Sequence, residues 1–471
     1  MTKITLIGGG SYSWGATFLR DLFITPELTG ATITLHDISA ERMGLVYRLA
    51  RKMLQDFRLD FRLEQTLSLD EALDGADFVI LTITTGGLEA MRRDLEIAAR
   101  YGIQQTVGDT TGPGGLARAL RNIPVVVKIA QKVNELCPEA LFLNYTNPMT
   151  TLTRALCLTR SVPNRTVGLC HEYLGVRQKL AELFGVAPEQ IQARVAGVNH
   201  LIWITDLYAA GRRVWNELPT LAERILNGEI VVDEDDSSVF ADHARVKAAL
   251  FQVYGALPAA GDRHIAEFFP HFIHESTRWG ADYGLRLTRI EDRYAMEAEA
   301  KARIEAALRG DLPLAPFMQR ASDEAAHQII RSVLRGEPYV GIMNLPNAGQ
   351  ISNLPHNAVV ETFGVIDQTG AHGLTFGEVP AGIQSVLEHH IRQQEMTVQA
   401  ALMGDTGLAL QVLLNDPLSS RLTLPQAREL LKEIHPLPQS LNPPITKSFN
   451  PPITKSLNPS IPQSPKGVSH V

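Results

Sequence analysis

One cysteine and two histidines offer the strongest chemistry in this chain. Cys170 and His171 stand together in Gly168-Leu169-Cys170-His171-Glu172, and His200 follows in Gly197-Val198-Asn199-His200. The separation of Cys170 from His200 is no zinc-finger spacing. A thiolate and an imidazole can still converge from two strand ends on one divalent cation. Positions would then stay open for substrate hydroxyls, as in a catalytic rather than a structural site. The competing reading makes Cys170 a small buried hydrophobe and His200 a satisfied interior histidine. Two further segments have chemical character: Asn144-Tyr145-Thr146-Asn147-Pro148 and the glycine-rich Gly108-Asp109-Thr110-Thr111-Gly112-Pro113-Gly114-Gly115. The second reads either as a cover over a bound ligand or as a plain connection.

The N-terminus carries a different signal. Leu6-Ile7-Gly8-Gly9-Gly10-Ser11-Tyr12-Ser13-Trp14-Gly15 follows an apolar run and opens a helical pattern. In that setting Gly8, Gly10 and Ser11 permit a tight turn whose backbone approaches a pyrophosphate, with the helix N-terminus stabilising its charge. Asp37 ends the next apolar run, where a carboxylate can accept from ribose hydroxyls, which favours NAD over NADP. Thr82, at the end of the run 77–83, is expected to line the same cofactor site. The fingerprint is incomplete, because Ser13 stands where the third glycine of the pattern belongs.

The elements that must position these groups follow from periodicity. Short apolar runs at 3–7, 31–36, 77–83, 123–129, 140–144 and 165–169 read as strands, with helical patterns between them, for example 40–56 and 117–136. Such alternation predicts an α/β fold: a Rossmann-like, doubly wound parallel sheet over residues 1–195. Residues 196–208 form one more β-like run. Helical stretches then dominate (241–254, 292–309, 319–335, 382–415, 424–434), with loops at 258–264 and 341–357, which predicts a mixed α+β domain over 196–435. Residues 436–471 repeat Asn-Pro-Pro-Ile-Thr-Lys-Ser and should form a disordered, proline-rich tail.

Composition sets the outer limits. The chain has 471 residues, 45% hydrophobic and 20% charged, with 44 Lys+Arg against 51 Asp+Glu and a net charge of -7. A mildly acidic chain without basic runs argues against nucleic acid or anionic lipid as a partner. No apolar run is long enough to span a bilayer, and the first residues are apolar too briefly for a signal peptide, so a cytoplasmic location is expected. Three cysteines cannot all pair, so at least one thiol should be free.

Taken together, the glycine turn at 8–11, Asn-x-x-Asn-Pro, Cys-His-Glu, Gly-Val-Asn-His and Gly349-Gln350-Ile351-Ser352-Asn353-Leu354-Pro355 occur in an order that resembles glycoside hydrolase family 4, the NAD- and divalent-metal-dependent glycosidases. These enzymes stand outside the two-carboxylate glycosidase scheme. The resemblance implies that Cys170 and His200 hold the metal, typically manganese, and that Asn147 touches substrate near the nicotinamide. It implies a cycle in which NAD+ takes hydride from sugar C3, a base removes the acidified C2 proton, the C1 leaving group departs, water adds and the hydride returns. Asp262 is the expected base and His171 the expected acid for the leaving group, and homo-oligomers are usual. Arg263 and His264, next to Asp262, suggest a sugar carboxylate and so an α-galacturonide. The alternative is a neutral α-galactosidase or α-glucosidase, with Arg263 merely pairing with Glu267 one helical turn on. A rival of another class is a lactate- or malate-type NAD-dependent dehydrogenase, which would need no metal thiolate.

Overall fold

The computed structural model describes residues 1–233 and 241–435. The expected disordered tail, 436–471, lies outside the described residues. Six strands form a parallel half-sheet: β1 (Lys3–Ile7), β2 (Thr32–His36), β3 (Arg62–Thr66), β4 (Phe78–Leu81), β5 (Leu141–Asn144) and β6 (Thr166–Gly168). Their spatial order is 3-2-1-4-5-6, every pair parallel. This is the doubly wound order, and its direction reverses between β1 and β4, where a crevice opens at the carboxyl ends of the strands. Strand β1 is buried from Ile4 to Ile7 and β4 throughout, so β4 reads as an unbroken apolar run and β1 as one interrupted only by Thr5. Strand β3 (RLEQT) is a half-exposed edge strand with no such run, and it escaped the sequence reading.

The expected strand at 123–129 is corrected. Residues Gly112–Leu136 form one helix, with Pro124 inside it. The β-branched run Val125-Val126-Val127 suggested a strand. Leu116, Leu120, Ile123, Val127 and Ala130 are buried at helical spacing, however, and the period over 117–136 wins over the local propensity.

The sheet then continues with antiparallel strands. Seven more complete it: β7 (Ile191–Val198), β8 (Leu201–Ala209), β9 (Arg212–Arg213), β10 (Leu257–Pro258), β11 (Tyr339–Pro346), β12 (Val359–Asp367) and β13 (Gly370–Gly373). From β6 the path runs β11, β12, β7, β8, β10, with β13 on β12 and β9 on β8. The expected boundary after residue 195 falls within β7, and the expected loop at 341–357 begins inside β11. The run 196–208 is the end of β7, a tight turn at Asn199-His200, and most of β8. The long helical stretch at 382–415 is two helices, Ala381–Met403 and Thr406–Asn415. Gly404 (φ +66°) closes the first, and the Asp405 side chain caps the second by accepting from the Leu408 N–H at 2.9 Å. Cys137, Cys157 and Cys170 are all free thiols, and no described helix is long and apolar enough to cross a membrane.

Candidate active site

The glycine turn after β1 is shaped for close approach. Gly8 has φ +91°, and a Cβ there would overlap the carbonyl oxygen of Thr82. The N–H groups of Gly8 and Gly9 both donate to the His36 carbonyl, at 2.9 and 3.0 Å. Gly10 donates its N–H to Asp37 Oδ2 at 2.9 Å, while Oδ1 accepts from Ser39 N at 2.9 Å. The half-buried Asp37 carboxylate is thereby fixed at the tip of β2 with lone pairs to spare for ribose hydroxyls. Helix Trp14–Phe23 begins without an acidic residue in its first turn, so its positive end faces the turn uncompensated. A Cβ on Gly15 would lie 2.8 Å from the Gly9 carbonyl oxygen. Gly15, rather than position 13, therefore supplies the close helix-to-turn packing that the third fingerprint glycine normally gives.

Across the crevice, β6 hands the chain to Cys170, and the β7–β8 hairpin presents His200 at its tip. His200 has φ +66°, a sparsely populated conformation for so bulky a residue, which its surroundings must impose. Cys170 Sγ lies 3.5 Å from His200 Nε2. Ligand bonds of ~2.3 Å to sulfur and ~2.1 Å to nitrogen at a tetrahedral angle would separate the two donors by about 3.6 Å, so the pair fits one cation. The other ring nitrogen, Nδ1, is 2.7 Å from Thr110 Oγ1, and that hydroxyl donates to Asp109 Oδ1 at 2.7 Å. With Nδ1–H donating to Thr110, this chain fixes the tautomer that leaves the Nε2 lone pair facing Cys170.

Two further groups complete the cluster. Asp109, His200 and His264 each offer a ligand atom within 4.8 Å of the others. The imidazoles of His200 and His264 lie against each other, centroids 3.7 Å apart, and His264 Nδ1 is buried without a hydrogen-bond partner. His264 Nε2 is 3.7 Å from Glu172 Oε1, and Glu172 Oε2 accepts from Gly261 N at 2.6 Å. Burial opposes the ionisation of Asp109, but His264, Arg118 and His200 together hold its carboxyl well below the usual range. Burial likewise opposes ionisation of Glu172, yet His264 and His200 bring it down to about 2. Burial, with His264 beside it, holds His200 at about 3, so its imidazole is neutral. Burial pushes the Cys170 thiol well up, and Glu361 and Glu172 add to this; a neighbouring cation is what would make it a thiolate.

Asn147 belongs to the same cluster. Its Nδ2 donates to Asp109 Oδ2 at 3.1 Å, its carbonyl accepts from Arg118 Nε at 3.0 Å, and its Oδ1 is buried without a partner. His171 is half-exposed, pairs with Glu324 Oε1 at 2.8 Å through Nδ1, and lies against the Trp14 ring. The Glu324 hydrogen bond raises it to about 9.

Two expected site residues face elsewhere. Asp262 is 2% exposed, and its oxygens accept from Val246 N (2.9 Å), Lys247 N (3.1 Å) and Lys247 Nζ (2.8 Å). It caps the helix Arg245–Tyr254 from a distance and neutralises a buried lysine, which leaves it poorly disposed to be a base. The Arg263 guanidinium donates to the carbonyls of Arg286 and Thr106 and to Thr288 Oγ1. The proposed carboxylate clamp is therefore revised, because that fork is spent on the protein's own backbone. Glu267 Oε1 accepts from Val107 and Gly108 N–H, at 2.7 and 2.9 Å, and the Arg263 charge acts on that carboxylate.

A doubly wound sheet with a glycine turn and a Cys/His/Asp cluster on one edge defines a nucleotide-binding enzyme architecture with a built-in cation site. The chain belongs to the family 4 glycosyl hydrolases: the model of that family matches residues 3–186, and the model of its C-terminal domain matches 195–419. An α-galacturonidase of Bacillus subtilis is 36% identical over 434 residues, covering 88% of this chain and 93% of the relative. A crystal structure from the same organism, described as that of a glucosidase, superposes with a TM-score of 0.82 at 32% identity over 92% of this chain and all of that one. A 6-phospho-α-glucosidase from gut microorganisms, solved with NAD and Mn2+, shares the fold at TM-score 0.78 and 21% identity, over 92% of this chain and 97% of that one.

Proposed function

We propose that this glycosidase cleaves α-galacturonides with the help of NAD and of manganese or another divalent cation. The observation that carries the reading is the 3.5 Å approach of Cys170 Sγ to His200 Nε2 on the edge where Gly8 and Asp37 shape a nucleotide turn. When bound, the dinucleotide would take up and return a hydride at sugar C3, and the cation would polarise the neighbouring oxygens. Cys170, His200 and Asp109 would hold the cation, and Gly8, Gly10, Ser11, Asp37 and Thr82 the dinucleotide. Asn147 orients a sugar hydroxyl through its unpartnered Oδ1. His264, steadied by Glu172, takes the C2 proton in place of Asp262, since its buried Nδ1 has no hydrogen-bond partner in the protein. His171, kept protonated by Glu324, donates to the leaving group.

The galacturonide reading rests on the named relative and on Arg118, which is half-buried and whose charge reaches Asp109. Burial holds Arg118 below its ordinary value, which a substrate carboxylate beside it would relieve. The loss of Arg263 as a clamp is the observation that favours the neutral-sugar alternative. A cytoplasmic location and a homo-oligomeric assembly are part of the same proposal.

The test is turnover of digalacturonate and of aryl α-galactosides with NAD+, Mn2+ and a thiol reductant in D2O. Galacturonate release with deuterium at C2, no net NADH and loss of activity on chelation is the expected result. Galactose release alone overturns the sugar assignment, while net NADH without a metal requirement would mean a dehydrogenase.

A further inference from the structure

Glu361, on β12, has no place in the chemistry just described, yet it is a carboxylate only 3% exposed. Both its partners are amides: Oε1 accepts from Asn344 Nδ2 at 3.0 Å and Oε2 from Asn199 Nδ2 at 3.3 Å. It makes no salt bridge among the described residues. A buried carboxylate satisfied only by neutral donors is costly, so a geometric role is the natural place to look for its use.

The sheet register shows such a role. Gly168 of β6 pairs with Asn344 of β11, Asn344 with Glu361 of β12, and Glu361 with Gly197 of β7. This single cross-strand row joins the two strands that end in the cation ligands. Cys170 lies two residues beyond Gly168, and His200 three beyond Gly197. The row is tight at both ends. A Cβ on Gly168 would lie 2.9 Å from Asn344 Cβ, and one on Gly197 would lie 2.7 Å from Ile202 Cα. Asn199 closes the loop: it directly precedes His200, its side chain bonds Glu361, and its backbone N–H donates to Thr150 Oγ1 at 3.1 Å.

We infer that Glu361, through Asn344 and Asn199, is a positioning residue that sets the separation and orientation of Cys170 and His200 as a cation-binding pair. This rests on the proposal that these two residues hold the metal. Outer partners of this kind govern affinity by fixing ligand geometry, at a scale of about 10–100-fold.

Metal-free full-length protein titrated with Co2+ tests it, because a cobalt–thiolate bond gives its own charge-transfer band. Wild type should show the band and Cys170→Ser should not; a bandless wild type overturns the metal assignment and this inference together. With the band present, Glu361→Leu should raise the Co2+ Kd at least tenfold and weaken or shift the band, with NAD+ affinity unchanged. Glu361→Gln should stay within about threefold of wild type. Asn199 Oδ1 and Asn344 Oδ1 are both buried without partners, so an amide flip gives the new N–H an acceptor. Wild-type Kd and spectrum in Glu361→Leu overturn the inference, and so does a Gln variant as weak as the Leu one, which would make charge the cause. Should the Leu variant not fold, Asn199→Ala carries the same expectation and the same overturning result.

Discussion

Arg263 and Asp262 show how a residue's type can be legible while its partner is not. Both sit beside His264, which does reach the cluster, but their side chains serve the protein itself. Arg263→Ala should leave the Arg286 carbonyl without this donor and the Thr106 carbonyl with Thr288 Oγ1 in place of two donors, lowering unfolding free energy in urea by about 1–3 kcal/mol with the preference between galacturonide and galactoside unchanged. Arg118→Ala should instead raise KM for digalacturonate selectively. Asp262→Ala leaves one of the two carboxylates around Lys247 missing and a helix uncapped, a loss of about 3–5 kcal/mol, whereas His264→Ala should abolish C2 deuterium exchange at nearly wild-type stability. Glu267 supplies a pH signature. Burial lifts its carboxyl from 4.5 to about 8. Below about pH 4.5 it is protonated folded or unfolded; from there to about 8 only the unfolded chain ionises, so stability falls as pH rises, at ~1.4 kcal/mol per unit. Urea midpoints from pH 5 to 9 should fall in the wild type and stay flatter in Glu267→Gln. Parallel curves would show that Glu267 is ionised throughout. The sequence could name Cys170, His200 and Asn147 because they stand in compact motifs. Asp109 and Glu172 stand in motifs that were also legible, but their contacts to Asn147 and His264, like those of Glu361, join distant segments and appear only on folding.

At the scale of elements, apolar runs revealed the buried parallel strands, and turn residues revealed the nucleotide loop. Edge strand β3 had no apolar run to reveal it, and β11 was hidden because Tyr339–Pro346 opens with three residues that are not buried. The turn also shows how a fingerprint can be kept in function while altered in spelling, with Gly15 in the role expected at position 13. Gly15→Ala should weaken NAD+ binding about tenfold by pushing the helix start away from Gly9, which Trp14 fluorescence can follow. Equal affinity in wild type and variant would mean the helix adjusts freely.

The described residues form one sheet with cores on both faces, and the larger core draws on Leu81 and Phe142 from the first half and on Trp203, Ile391 and Leu430 from the second. The boundary expected at 195 from composition and periodicity falls within β7 of that sheet. Calorimetry should therefore record a single endotherm for the described body; two resolved transitions would show that the halves fold separately. The parallel and antiparallel parts meet where β6 pairs with β11, at Gly168 and Asn344 alone. Anyone splicing the front of one relative to the back of another would have to preserve that seam, since a mismatched residue there would pull apart the two sides of the reaction centre as well as the hybrid's backbone.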